Sequence, residues 1–192
     1  MKKIMFMLGV AACAVGAQAA TVSWALTGVN NGGTGVDGYA YVFSNKAGTY
    51  TTPDALKTAL SAITTASAMQ KFMADNSLTA LNAAVSGGAA DVSGVDLATS
   101  GLPAATSGTR IFAVVFDTPT ITDDSHYYIT PTSSGVKTPA ATTTNNAKFT
   151  IADQAAATAG AGSWATVSTP EPTSGLLLLV GAGMLALRRK QK

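Results

Sequence analysis

The sequence is nearly devoid of cysteine, histidine and glutamate. Among 192 residues there is one cysteine, Cys13, one histidine, His126, and one glutamate, Glu171. A zinc site needs three or four converging His, Cys or carboxylate ligands, and that inventory argues against one. One cysteine closes no internal disulfide, so stability has to come from burial and backbone hydrogen bonding. A Ser-His-Asp arrangement is formally available through His126, but no G-x-S-x-G turn presents a nucleophile. His126 precedes Tyr127-Tyr128 and reads as a solvent-facing histidine at a strand edge. The composition therefore points away from an enzyme, and no cofactor is expected.

Charge is also scarce, at 11% of residues, and unevenly placed. The formal net charge of +2 comes from Lys2 and Lys3 at one end and a cluster at the other. Residues 20–169 hold nine aspartates against six cations, near −3. With no basic patch in that stretch, nucleic acid is excluded as a partner.

Both ends read as addresses. Met1-Lys2-Lys3 is a positive n-region, Ile4–Ala12 an apolar h-region, and Ala17-Gln18-Ala19 supplies small residues for a cut between Ala19 and Ala20. These are the parts of a secretory signal peptide, residues 1–19, and imply the Sec machinery and signal peptidase as partners. A competing reading is Val10-Ala11-Ala12-Cys13 as a lipobox. Against it, the apolar stretch continues past Cys13 to a cleaner site. An acyl chain would also duplicate an anchor at the other end.

That other end, residues 170–192, begins Pro170-Glu171-Pro172, continues with the uncharged stretch Thr173–Leu187 and closes on Arg188-Arg189-Lys190-Gln191-Lys192. As a helix, the fifteen residues of the apolar stretch span about 22 Å, short of the ~30 Å hydrocarbon core. Arg188, Arg189 and Lys190 can snorkel and form a basic stop held on the cytoplasmic side. The arrangement is expected to be a C-terminal transmembrane helix that holds the protein temporarily.

These parts, in this order, resemble the PEP-CTERM sorting signal of exported proteins of Gram-negative bacteria. The resemblance is confined to residues 170–192. It implies transient retention in the inner membrane and recognition at Pro170, Glu171 and Pro172 by an exosortase-type membrane protease. Cleavage and transfer to the cell surface or extracellular matrix would follow. The family is associated with biofilm formation and exopolysaccharide, which makes exopolysaccharide a candidate partner. Its members do not share their domains, so no role for residues 20–169 carries over.

Between the addresses, Thr21–Thr27 alternates with Val22, Trp24 and Leu26 on one side, the pattern of a half-buried strand. Gly28–Gly38 reads as a turn and Tyr39–Phe43 as a strand, together an antiparallel hairpin with a long loop. Thr52, Pro53 and Asp54 open a helix whose stripe is Leu56, Leu60 and Ile63, extended after a break by Met69, Phe72 and Met73. A further short helix from Ser77, with Leu78, Leu81 and Val85 on one face and Gly87 as its stop, completes a helical insert over about 53–86. Residues 85–108 have little periodicity and read as loop. The continuous apolar run Ile111–Phe116 fits a strand buried on both faces, with Tyr127–Thr130 as partner and Lys148–Ile151 and Trp164–Val167 as two more strands. The expected fold is mainly β (α+β): a small antiparallel β-sandwich-like domain with a helical insert.

Within this domain three constellations invite chemistry. Gly32-Gly33-Thr34-Gly35-Val36-Asp37-Gly38-Tyr39-Ala40 matches one copy of a calcium-binding nonapeptide, but that motif works through stacked copies, and a Gly-rich loop is the plainer reading. Asp91, Asp96, Asp123 and Asp124 could donate to Ca²⁺, or be ordinary surface carboxylates. Trp24, Trp164, Tyr39, Tyr41, Tyr127 and Tyr128 could stack sugars, or be core and cross-strand pairs. The expected function is a non-enzymatic surface or matrix protein, with a carbohydrate- or calcium-dependent adhesin as the alternative.

Overall fold

The computed structural model describes residues 20–102, 108–133, 146–151 and 164–167. The expected signal peptide and sorting signal, with Ala19, Pro170, Glu171, Pro172, Arg188, Arg189 and Lys190, lie outside the described residues, as does the expected transmembrane helix. Among the described residues no helix is long and apolar enough to cross a membrane.

The fold is mainly β. In chain order the strands are β1 (Thr21–Leu26), β2 (Asn30–Asn31), β3 (Thr34–Gly35), β4 (Gly38–Ser44), β5 (Ala83–Val85), β6 (Ala90–Asp96), β7 (Ile111–Phe116), β8 (His126–Ile129), β9 (Asn146–Ile151) and β10 (Ala165–Thr166). Two helices, α1 (Pro53–Leu60) and α2 (Ala66–Asn76), lie between β4 and β5. The strands form a five-stranded sheet in the order β10-β8-β7-β4-β5, a three-stranded sheet β6-β1-β9, and the small ribbon β2-β3.

The five-stranded sheet is the middle layer. On β7, Ile111, Ala113 and Val115 enter a core shared with Val22, Trp24 and Leu26 of β1 and Ala147, Phe149 and Ile151 of β9. Phe112, Val114 and Phe116 point the other way, into a second core with Leu56 and Leu60 of α1 and Met69 and Met73 of α2. Every residue of β7 is fully buried because each face of the sheet is covered, by strands on one side and helices on the other. At about 1.5–3 kcal/mol per large apolar side chain, this strand alone is a major contributor to stability.

The helix caps follow the sequence. Thr52 Oγ1 accepts from Ala55 N–H at 3.2 Å and Pro53 takes the first helical position. Thr65 caps α2 in the same way, accepting from Ala68 N–H.

Four expectations need correction. The strand Thr21–Thr27 and the strand Tyr39–Phe43 do not form a hairpin. β1 pairs with β6 and β9, whereas β4 pairs with β5 and β7 in the other sheet. The Gly-rich segment between them carries the chain from one sheet to the other, and Gly32 and Gly33, with φ of +63° and +87°, turn it back on itself between β2 and β3.

The helix expected from Ser77 to Val85 is a single 3₁₀ turn, Thr79–Leu81, followed by β5. Leu78, Leu81 and Val85 are all buried in the sheet–sheet core, so the apolar spacing was genuine but is met by a turn and a strand. Asn82 decides the matter locally: its Oδ1 accepts from Val42 N–H at 2.9 Å, beside the bond from Leu78 N–H to Val42 C=O. The helical segment thus closes at Leu81, not near 86.

The segment 85–108, read as loop, contains β6. This strand turns Ala90, Val92 and Val95 toward the core, and Gly94 (φ +70°) accompanies a register shift between Val22 and Trp24 that leaves two residues instead of one between Val92 and Val95. That extra residue breaks the period-two signal. Finally, the sheets are not wholly antiparallel, because β9 runs parallel to β1.

Candidate functional site

The glycine segment that resembles a calcium nonapeptide is held by backbone packing. Val29 N–H donates to Gly88 C=O at 2.9 Å, Gly88 N–H donates to Val36 C=O at 2.9 Å, and Val36 N–H returns to Val29 C=O. The one carboxylate of the motif, on Asp37, is engaged: its Oδ1 accepts from Gly87 N–H at 2.7 Å. The segment therefore interlocks with the turn between β5 and β6.

The other aspartates are dispersed. Asp96 Oδ1 accepts from Ala98 N–H in its own turn. Asp123 Oδ1 accepts from Ala66 N–H at 2.7 Å and so adds a carboxylate to the N-terminus of α2, where the helix dipole favours negative charge. Among the described residues no group of three or more His, Cys, Asp or Glu side chains converges.

The aromatic residues do not make a platform. Trp24 is 2% exposed and its indole N–H donates to Leu81 C=O at 2.9 Å; Trp164 is 8% exposed and donates to Asn30 C=O. Tyr127 and Tyr128 are buried on opposite faces of β8. Of the six expected platform residues, Tyr39 and Tyr41 are the half-exposed ones, as neighbours with ring centres 5.0 Å apart. Burial raises the phenol pKa of Tyr41 above its ordinary value, with a smaller push from Tyr39; burial alone raises that of Tyr127. The Leu56, Leu60 and Ile63 stripe is likewise a core stripe.

His126 is more than a free edge histidine. Its Nδ1 lies 2.9 Å from Asp117 Oδ2, and its backbone N–H donates to Asp117 Oδ1 at 2.8 Å. An ionised carboxylate only accepts, which places the imidazole proton on Nδ1. Composition could not reveal this pair, since Asp117 and His126 are nine positions apart and meet only because β7 and β8 form a hairpin. Among the described residues no nucleophile accompanies the pair. Ser125, the adjacent hydroxyl, is fully buried and takes up Thr122 N–H at 2.8 Å and Thr118 Oγ1 at 2.6 Å. No hydroxyl among the described residues is bonded to Nε2, so the pair has the base and its orienting acid without a group to activate.

The described surface also carries an open trough. It lies on the outward face of β6-β1-β9, holds about 320 Å³, and is lined by Ser23, Ala25, Asp91, Ser93, Lys148 and Thr150. Small residues on the central strand form its floor, and larger polar ones on β6 and β9 form its walls. Asp91 and Lys148 stand on opposite walls, exposed, and do not pair with each other.

Ala20, the expected first residue of the mature chain, is the one expected processing residue inside the described region. Its C=O accepts from Leu97 N–H at 2.7 Å, directly before β1. Comparison of the chain with protein-family models, curated proteins and solved structures gives no match.

Proposed function

We propose that the chain is an exported surface or matrix protein without enzymatic activity, delivered by its N-terminal signal peptide and released by cleavage at its PEP-CTERM-like signal. The observation that carries this reading is the ordered set Pro170-Glu171-Pro172, uncharged stretch and Arg188-Arg189-Lys190. The placement of the fold supports it. β1 starts at Thr21, one residue after Ala20, and β10 ends at Thr166, four residues before Pro170. The described elements therefore sit between the two expected cuts.

The test is replacement of Pro170, Glu171 and Pro172 by alanine. The variant is expected to accumulate uncut in the inner membrane; normal release at the normal mass would refute the sorting signal.

A binding role is the second reading, and the trough on β6-β1-β9 is the observation in its favour. It offers hydroxyls, a carboxylate and an ammonium for a polar ligand such as a glycan. Thermal unfolding measured with glycans and with Ca²⁺ separates the two readings, since a ligand that binds the native state raises Tm. If no candidate ligand shifts Tm, the adhesin reading fails.

A further inference from the structure

The last described residues fasten the chain to both cores. Trp164 is packed into the sheet–sheet core, its ring centre 5.8 Å from that of Tyr128 and its indole N–H bonded to Asn30 C=O at 3.0 Å. β10 then pairs with β8, Ala165 opposite Tyr127 and Thr166 opposite His126. Val167, 1% exposed, enters the helix-side core, and its N–H donates to Ser125 C=O at 2.9 Å. A strand of two residues is thus held by a side chain in each core and by a bond on the residue after it.

Only residues 168 and 169 separate this anchor from Pro170. Three extended steps reach about 11 Å. A folded chain of roughly 150 residues has a radius of gyration near 15 Å. Any enzyme that takes Pro170–Pro172 into its cleft while Val167 stays seated has to touch the folded body. The nearest surface is the loop 117–125 and His126, because Val167 is bonded to Ser125. That loop exposes Asp123 and Asp124.

We propose that the protein is processed as a folded body with β10 in place, so that the end of the five-stranded sheet formed by the loop 117–125 and His126 is the surface facing the membrane protease that cuts at Pro170–Pro172. This rests on the sorting reading above and adds which face of the body the enzyme meets. The opposing case is a clip that peels away before cleavage, with residues 164–167 acting as extra spacer.

Two variants of the full chain, followed by pulse-chase in the exporting host, decide between them. His126→Cys with Thr166→Cys places two thiols across the β8–β10 pair, in a body that has no other cysteine once residues 1–19 are removed. The cross-linked form is expected to be cut within twofold of the wild-type rate. If it stays uncut while each single-cysteine variant is cut, the clip has to peel and the proposal fails. Deleting Ser168 and Thr169 tests the same point without new side chains. Cleavage is expected to slow at least tenfold, because Pro170 then abuts the seated Val167; cleavage at the wild-type rate overturns the proposal. Failure of the underlying sorting reading shows separately, as unchanged cutting when Pro170, Glu171 and Pro172 are alanine.

Discussion

Ile111 and Phe112 are adjacent in the chain and share no core: Ile111 packs between the two sheets and Phe112 packs under the helices. This division at one peptide bond organises the molecule, because it makes the five-stranded sheet a wall between two apolar compartments. It also gives a direct mutational signature.

Substitutions in different compartments should add, and substitutions within one should couple. Phe43 and Phe112 are opposite each other on β4 and β7, stacked with ring centres 5.8 Å apart. A double-mutant cycle of Phe43→Leu and Phe112→Leu in urea unfolding is expected to give a coupling of about 0.5–1.5 kcal/mol. Phe112→Leu with Ile151→Val, which spans the two cores, is expected to be additive within about 0.5 kcal/mol. Equal coupling in both cycles would mean that the two compartments behave as one.

Gly38 is required by contact. A Cβ there would fall 1.8 Å from the carbonyl oxygen of Phe116. Gly38→Ala is expected to destabilise by about 3 kcal/mol, since the two strands have to part. Gly32 meets nothing within 4 Å, and its cost comes from φ of +63° alone. Gly32→Ala should therefore cost only about 1–2 kcal/mol. Denaturation midpoints of the two variants check the order.

Stability should fall as pH rises above 10. The pKa values of Tyr41 and Tyr127 are raised on folding by burial, so the native state keeps phenol protons that the unfolded chain gives up. The unfolded state then binds fewer protons, and stability declines with pH from the ordinary phenol pKa upward. Tyr41→Phe should flatten this alkaline decline while leaving the neutral midpoint nearly unchanged. A wild-type alkaline slope retained in both Tyr41→Phe and Tyr127→Phe would remove burial as its cause.

Asp117 should matter more than His126 to the β7–β8 hairpin. Asp117→Ala removes the acceptor of both the imidazole and the backbone N–H of His126, at an expected cost of about 1–3 kcal/mol. His126→Ala keeps the backbone bond and should cost less than about 1 kcal/mol. Thermal unfolding of the two variants gives the comparison; a larger loss from His126→Ala would contradict it.

Several of these features were legible in the sequence. The run Ile111–Phe116 declared a strand buried on both sides, and Thr52-Pro53-Asp54 marked the start of α1, because in each case one local rule decides the outcome. The errors share a cause. Asn82 replaces a helix with a turn by capturing Val42, forty positions away, and β6 hides behind a glycine bulge that shifts its register against β1. The partners of β1 lie at 90–96 and 146–151, and no local pattern names them. The His126–Asp117 pair was illegible for the same reason, since it depends on which strands become neighbours.

The central claim is that the mature protein is the body between two cuts. The intact mass of the protein recovered from the cell surface or medium tests it most directly. The account predicts a chain that starts at Ala20 and ends at or next to the Pro170–Pro172 tripeptide, lacking the uncharged stretch and the basic tail. A surface protein that still carries Thr173–Lys192 would contradict it.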